Sequence, residues 1–101
     1  MNNIIKGTTP TIAYTFDVVR VSDIRTAVLT IKRSGVVTVE RDLTTASIGV
    51  DKLSWTLTQE ETLSVDGNAA VMLNWVTADG TRGASAETSV YFAPNHKEEV
   101  I

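Results

Sequence analysis

Leu53-Ser54-Trp55-Thr56-Leu57-Thr58-Gln59-Glu60-Glu61-Thr62-Leu63-Ser64-Val65-Asp66-Gly67, running directly into Asn68-Ala69-Ala70-Val71-Met72-Leu73-Asn74-Trp75-Val76-Thr77-Ala78-Asp79-Gly80-Thr81-Arg82, reads as strand, helical turn, strand and hairpin. Leu53, Trp55 and Leu57 alternate with Ser54, Thr56 and Thr58, the period of two that a half-buried strand requires. Thr58 offers a hydroxyl to cap the next segment, and Glu61 stands three residues on, where a capping box puts its carboxylate. One short helix is therefore expected over residues 59–65, ended by Asp66-Gly67.

Asp79-Gly80 is the strongest two-residue turn signal in the chain. A two-residue loop sets Ala78 against Thr81, Trp75 against Ala84, Leu73 against Ala86, Val71 against Thr88 and Ala69 against Val90. The opposite face then pairs Val76 with Gly83, Asn74 with Ser85 and Met72 with Glu87. One face is apolar and the other mostly polar, so burial and turn chemistry agree on this register.

Working outward, Thr11 to Val18 alternates with Ile12, Tyr14 and Phe16 on one side, and gives a further strand. Ile4-Ile5 is either a short first strand or an arm over residues 1–7. Residues 20–25 read as a connection. Thr26 to Lys32 and Val37 to Leu43 are strands around Arg33-Ser34-Gly35, where a three-residue loop with a glycine bulge pairs Ile31 with Val37, Leu29 with Val39 and Thr30 with Thr38. Residues 44–51 form a loop whose Ile48 and Val50 are expected under the sheet. Pro94 ends the last strand, since it cannot donate to a ladder. The sum is an all-β, immunoglobulin-like antiparallel β-sandwich of six to seven strands with one short helix near residues 59–65. The sandwich occupies residues 1–94 as a single domain, and 95–101 form a C-terminal tail. Trp55 is expected in the core, in place of the Cys-Trp-Cys signature of antibody domains.

A chain of 101 residues buries roughly 65% of its unfolded surface on folding and needs no staples. It has no cysteine, which excludes disulfides and thiolate metal sites. Net charge is −3 with both signs interspersed, so no basic stripe awaits nucleic acid. The N-terminus lacks a signal-peptide pattern, and no apolar run reaches a membrane span. The expectation is a protein with neither nucleic-acid nor membrane partner, made in the cytoplasm.

Little in the chain speaks of catalysis. His96 is the lone imidazole and lies in the tail. Glu60-Glu61 sit in a helix's first turn, where carboxylates favour the dipole. Neither Asp66-Gly67 nor Asp79-Gly80 shows the oxygen-ligand spacing of a calcium loop. No enzyme activity, metal or cofactor is expected. Tyr91, on the face opposite Val90 and Phe92, is the best exposed aromatic, and Trp75 is a second group able to stack on a sugar if exposed.

The opening Ile4-Ile5-Lys6-Gly7-Thr8-Thr9-Pro10-Thr11-Ile12, the run Ser54 to Leu63 with Asp66-Gly67, and Asp79-Gly80-Thr81-Arg82 carry a resemblance. The chain resembles small β-sandwich proteins from phage and prophage tail or baseplate gene modules of Gram-positive bacteria. It is similar in plan to the N-terminal domain of phage baseplate upper proteins. That resemblance implies a non-enzymatic structural or docking subunit of a phage-like particle, cytoplasmic during assembly and then in the virion. Its partners would be other virion proteins or its own copies in a homo-oligomer. The alternative is a carbohydrate-binding module that uses exposed aromatic residues to hold a glycan. The strand at Thr11 carries no charge until Asp17 and is a poorly guarded edge. Candidate interface residues are Ile4, Ile5, Ile12, Tyr14, Tyr91, Val100 and Ile101.

Overall fold

The computed structural model describes residues 2–101. Its strands are β1 (Asn2–Ile5), β2 (Thr11–Thr15), β3 (Ile24–Arg33), β4 (Val36–Asp42), β5 (Ser47–Ile48), β6 (Lys52–Thr56), β7 (Gly67–Thr77), β8 (Arg82–Ala84) and β9 (Thr88–Ala93), with helix α1 (Gln59–Leu63) between β6 and β7. One sheet has the order β1-β9-β7-β3-β4, with β8 also paired to β7; the other has the order β2-β6-β5. β2, β6 and β5 thus occupy the places of strands B, E and D of an immunoglobulin sandwich, and β3, β4, β7 and β9 those of C, C′, F and G. The protein is an all-β, immunoglobulin-like sandwich with one short helix. It departs from the constant-type plan at its start. β1 lies parallel to β9, with Asn2 opposite Val90 and Ile5 opposite Ala93. The place beside β2 that strand A takes in a constant-type domain is filled by no strand among the described residues.

The core lies between the sheets because the alternation of each strand points one set of side chains inward. Ala27, Leu29, Ile31, Val71, Leu73 and Phe92 of the larger sheet meet Leu53 and Trp55 of the smaller one, all essentially inaccessible to solvent. β3 keeps Ile24 inward as well as Ala27, which strict alternation forbids. A bulge between Ile24 and Thr26 reconciles the two.

Both hairpins correct the expected registers. At Arg33-Ser34-Gly35 the loop has two residues, Ser34 and Gly35, both with positive φ (52° and 78°), the backbone of a type I′ turn. Lys32 faces Val37, and a bulge then sets Ile31 against Val39 and Leu29 against Arg41. The extra residue is Thr38, whose hydroxyl donates to the Ile31 carbonyl at 3.0 Å. Ile31 thereby meets an apolar partner without a three-residue loop. At the last hairpin the reverse holds. Gly80 takes φ +88°, the Gly80 N–H reaches the Thr77 carbonyl at 2.9 Å, and Thr77 N–H that of Thr81 at 2.9 Å, so the loop is Ala78-Asp79-Gly80. Trp75 therefore faces Gly83, Asn74 faces Ala84, and Val76 faces Arg82. Farther out Val71 faces Thr88 and Ala69 faces Val90 as expected. The lost residue is recovered between Ala84 and Thr88, where the Ser85 hydroxyl takes the Leu73 N–H at 2.9 Å in place of a carbonyl. That break splits one expected strand into β8 and β9. With the short β5 and the formed β1, it raises the count above six to seven.

Two other expectations change. Ile48 and Val50 do not tuck under the sheet; they are 64% and 97% exposed. Leu43 and Ala46 pack on the core instead, brought there by a turn of 3-10 helix (Leu43–Thr45) that the Asp42 carboxylate caps through Thr44 N–H. The helix ends at Leu63, two residues short of the expected span, and leaves Val65 fully buried.

The capping box is formed. The Thr58 hydroxyl accepts from Glu61 N–H at 3.1 Å, and the Glu61 carboxylate accepts from Thr58 N–H at 2.8 Å. The same carboxylate binds the Arg41 guanidinium at 2.7 Å, tying the helix start to β4. Thr58→Ala is expected to cost about 1 kcal/mol, the usual loss for an N-cap. An unchanged urea midpoint would show that the cap contributes nothing to stability.

Candidate functional site

Among the described residues no strand takes the place of strand A, so β2 is an open edge. Leu57 N–H donates to the Pro10 carbonyl at 2.9 Å and Phe16 N–H to the Asp51 carbonyl at 2.7 Å, and between them β2 pairs with β6 from Thr11–Thr56 to Thr15–Lys52. Antiparallel bonding alternates, so even-numbered residues face β6. Thr11, Ala13 and Thr15 aim their N–H and C=O groups away from the sheet. Their side chains are exposed, while Ile12 and Tyr14 are half-buried and point inward.

Beneath this edge lies a groove of about 310 Å³ between the sheets, lined mainly by Ile4, Ile12, Tyr14, Val71 and Val90. Among the described residues no charged side chain lines it. Burial pushes the Tyr14 phenol above its ordinary value, and the Ser85 hydroxyl partly opposes that.

The turn from β1 to β2 explains why β1 stays with β9. Lys6 N–H continues the β1–β9 pairing to the Ala93 carbonyl at 2.9 Å. Gly7 then turns with φ +83° and donates to the buried Thr62 hydroxyl at 2.9 Å, which itself donates to the Thr8 carbonyl at 2.8 Å. The Lys6 ammonium is buried between the Asp66 and Glu98 carboxylates, with Glu98 at 3.1 Å. Asn95 and Lys6 are joined as well, through the Asn95 amide and the Lys6 carbonyl at 2.9 Å. The tail is thus fastened to the strand that opens the chain.

These charges set a pH dependence. The hydrogen bond from Lys6 holds the Asp66 carboxyl below its ordinary value, and the Asn95 N–H and then Lys6 hold Glu98 below its own. Asp66 above all holds Lys6 above its own. Depressed acids contribute stability that is present above their unfolded values and lost as pH falls through the folded ones; the raised lysine contributes stability that is lost only in strong base. The expected urea midpoint is flat from about pH 6 to 9 and falls below roughly pH 4.5. The fall is smaller in Lys6→Met and in high salt, since both acids are exposed and screened. A midpoint unchanged down to about pH 2.5 would contradict this.

Of the expected interface residues, Ile4, Ile12 and Tyr14 converge on the groove. Ile5, 53% exposed, does not line it. Val100 and Ile101 are exposed away from the groove, and Ile101 is held against α1 by the Gln59 amide, which accepts from its N–H at 2.8 Å and donates to its carbonyl at 3.1 Å. Tyr91 is half-buried on the outer face of the larger sheet, in register between Asn3 and Asn68. Trp75 is half-buried under Phe16 and packs on the core. The sequence reading missed Val71 and Val90 as groove walls, although their alternation marked them as inward. It also missed the Lys6 cluster, whose members stand 60 and 92 positions apart and carry no local signal.

Among the described residues no three His, Asp or Glu side chains converge as metal ligands, and no helix is long and apolar enough to cross a membrane. No protein-family model matches the chain, nor does any curated protein sequence. Solved structures do. CopC from Methylosinus trichosporium OB3b superposes with a TM-score of 0.60 at 14% identity, over 95% of this chain and 86% of that one. The V domain of amphioxus IgVJ-C2 aligns at 12% identity over 92% of this chain and 99% of that one, with a TM-score of 0.36. At such identity the likeness to CopC is one of fold.

Proposed function

We propose that the chain is a non-catalytic docking subunit of a phage-like particle, joined to a neighbouring particle protein or to its own copies by adding a strand at β2. The observation that carries the docking role is the uncharged open edge over an apolar groove. Proteins that must stay alone guard such edges with charge, proline or bulges, and strand addition combines main-chain hydrogen bonds with pockets for alternate side chains. Ile12 and Tyr14 supply the pocket walls, and Thr11, Ala13 and Thr15 the bonds. The particle setting is supported by the sequence resemblance of residues 4–12, 54–67 and 79–82. In that setting the protein is cytoplasmic until assembly carries it into the particle. Mass spectrometry of purified particles from the producing cells is the test. The chain is expected at a fixed ratio to tail proteins, and its absence from washed particles would sink the reading.

A second reading, a carbohydrate-binding module, draws on the row Asn3, Tyr91 and Asn68 across three strands, an aromatic ring flanked by two amides. Binding on a glycan array that vanishes in Tyr91→Ala would favour it.

A further inference from the structure

We infer that β2 pairs antiparallel with β2 of a second copy about a two-fold axis through Ala13, so that two three-stranded sheets become one sheet of order β5-β6-β2-β2-β6-β5. This deepens the docking role proposed above and rests on it. The outward-facing residues are Thr11, Ala13 and Thr15, and a two-fold at Ala13 sets Ala13 against itself and Thr11 against Thr15 of the second copy. All three rows are then hydrogen-bonded pairs, the kind in which both N–H and both C=O groups are used. A two-fold midway between two residues would instead set outward groups against groups already spent on β6, and one at Ile12 or Tyr14 would keep the bonding but carry a row past the ends of β2, to Thr9 or Asp17.

The side chains fit the same axis. In Thr-Ile-Ala-Tyr-Thr the two threonines stand symmetrically about Ala13, and Ile12 and Tyr14 are exchanged by the axis, so each residue meets a compatible partner in the reciprocal way an isologous contact demands. The two Thr rows face each other on the outer surface, where Thr11 already bonds Thr56 hydroxyl to hydroxyl at 2.9 Å. On the inner surface Ile12 meets Tyr14 of the second copy, a β-branched and aromatic cross-strand pair, and these side chains lie over the groove lined by Ile4 and Val90.

Charge does not oppose the contact, although each chain carries −3. The strand itself is uncharged. The same register places Asp17 beside Thr9 of the second copy, and the row through Lys52 and Thr15 continues into Thr11 and Thr56 there. No like charges are brought face to face. The added strand occupies the place beside β2 that no strand among the described residues fills. Five residues span only roughly 17 Å, so the contact lies at the small end of specific interfaces, and dimerisation is expected at concentrations on the order of 0.1 mM.

Sedimentation equilibrium of the full chain from about 20 µM to 1 mM tests this. The mass is expected to rise from 10.9 kDa toward twice that value, and to stay at one chain in Ala13→Lys, which sets two ammonium groups together at the axis without touching the core. Because the chain has no cysteine, register can be read separately. Hydrogen-bonded antiparallel partners sit about 5.5 Å apart at Cα, within disulfide reach. Ala13→Cys should therefore form a disulfide dimer at least about tenfold faster than Thr11→Cys, whose two copies lie four residues out of register. A full chain that stays monomeric at about 1 mM, or equal cross-linking of the two cysteine variants, would overturn the self-pairing. A monomeric chain that is nonetheless found in washed particles would overturn the self-pairing alone and leave the docking role standing.

Discussion

Trp55→Ala is expected to cost about 3 to 5 kcal/mol, the largest single loss in the chain and the usual range for deleting a buried aromatic. Trp55 is fully buried in the middle strand of the smaller sheet, and its ring belongs to the core cluster between the sheets. Its indole N–H also donates to the Asp42 carbonyl at 2.9 Å, joining β6 to the end of β4. Truncation removes the apolar contact, leaves a cavity walled by two sheets that cannot close on it, and breaks that bond. A domain of this size has a total stability of only about 5 to 15 kcal/mol, so the variant should unfold near or not far above ambient temperature. Trp55→Phe keeps most of the volume and loses the bond, and should cost less than half as much. Urea unfolding followed by circular dichroism measures both; a loss below ~1 kcal/mol for Trp55→Ala would mean the ring is not between the sheets.

The second large effect is at Gly83. A Cβ there would lie 2.5 Å from Cε2 and Cζ2 of Trp75 and 2.6 Å from its Nε1, closer than real side chains approach. The ring cannot simply retreat, because Phe16 packs edge-on against it with centroids 5.1 Å apart at 89°. Gly83→Ala is therefore expected to cost about 1 to 3 kcal/mol through overpacking. The cause can be isolated with a double-mutant cycle. In a Trp75→Ala background the same substitution should cost close to nothing, since the clash is gone. An equal cost in both backgrounds would assign the effect to the backbone of β8 and not to the indole.

How far the sequence carried these conclusions depends on what each residue could signal locally. Alternation placed Leu53, Trp55, Leu57, Ile12 and Tyr14 on the correct faces, because strand geometry allows only two faces and burial selects one. Thr58 and Glu61 announced the cap, because a capping box is complete within four residues. The hairpins were misread because each register was chosen as if its ladder were unbroken. The bulge at Thr38 and the break at Ser85 each add one residue and restore the burial pattern from a different turn, so burial far from the loop could not discriminate between loops. Ser34 adds to this, since a non-glycine residue at positive φ is unfavourable and gives no sign in the sequence. Ile48 and Val50 show the limit of hydrophobicity alone: an apolar residue in a short edge strand or a bend finds no second layer above it. The groove was half visible. β2 was identified as an unguarded edge, but the partition of β1 to β9 depends on Lys6, Thr62, Asp66 and Glu98 meeting across most of the chain, and that partition is what leaves the edge open.

Amide-resolved hydrogen exchange across β2 tests that open edge most directly. In dilute solution Ile12 and Tyr14, bonded to β6, are expected to exchange slowly, while Thr11, Ala13 and Thr15 exchange at rates near those of unstructured chain. Raising the concentration toward about 1 mM should slow the odd-numbered set and leave the even-numbered set unchanged. Equal and strong protection of all five residues at the lowest concentration would contradict the open edge, because it would mean that this chain already covers β2 by itself.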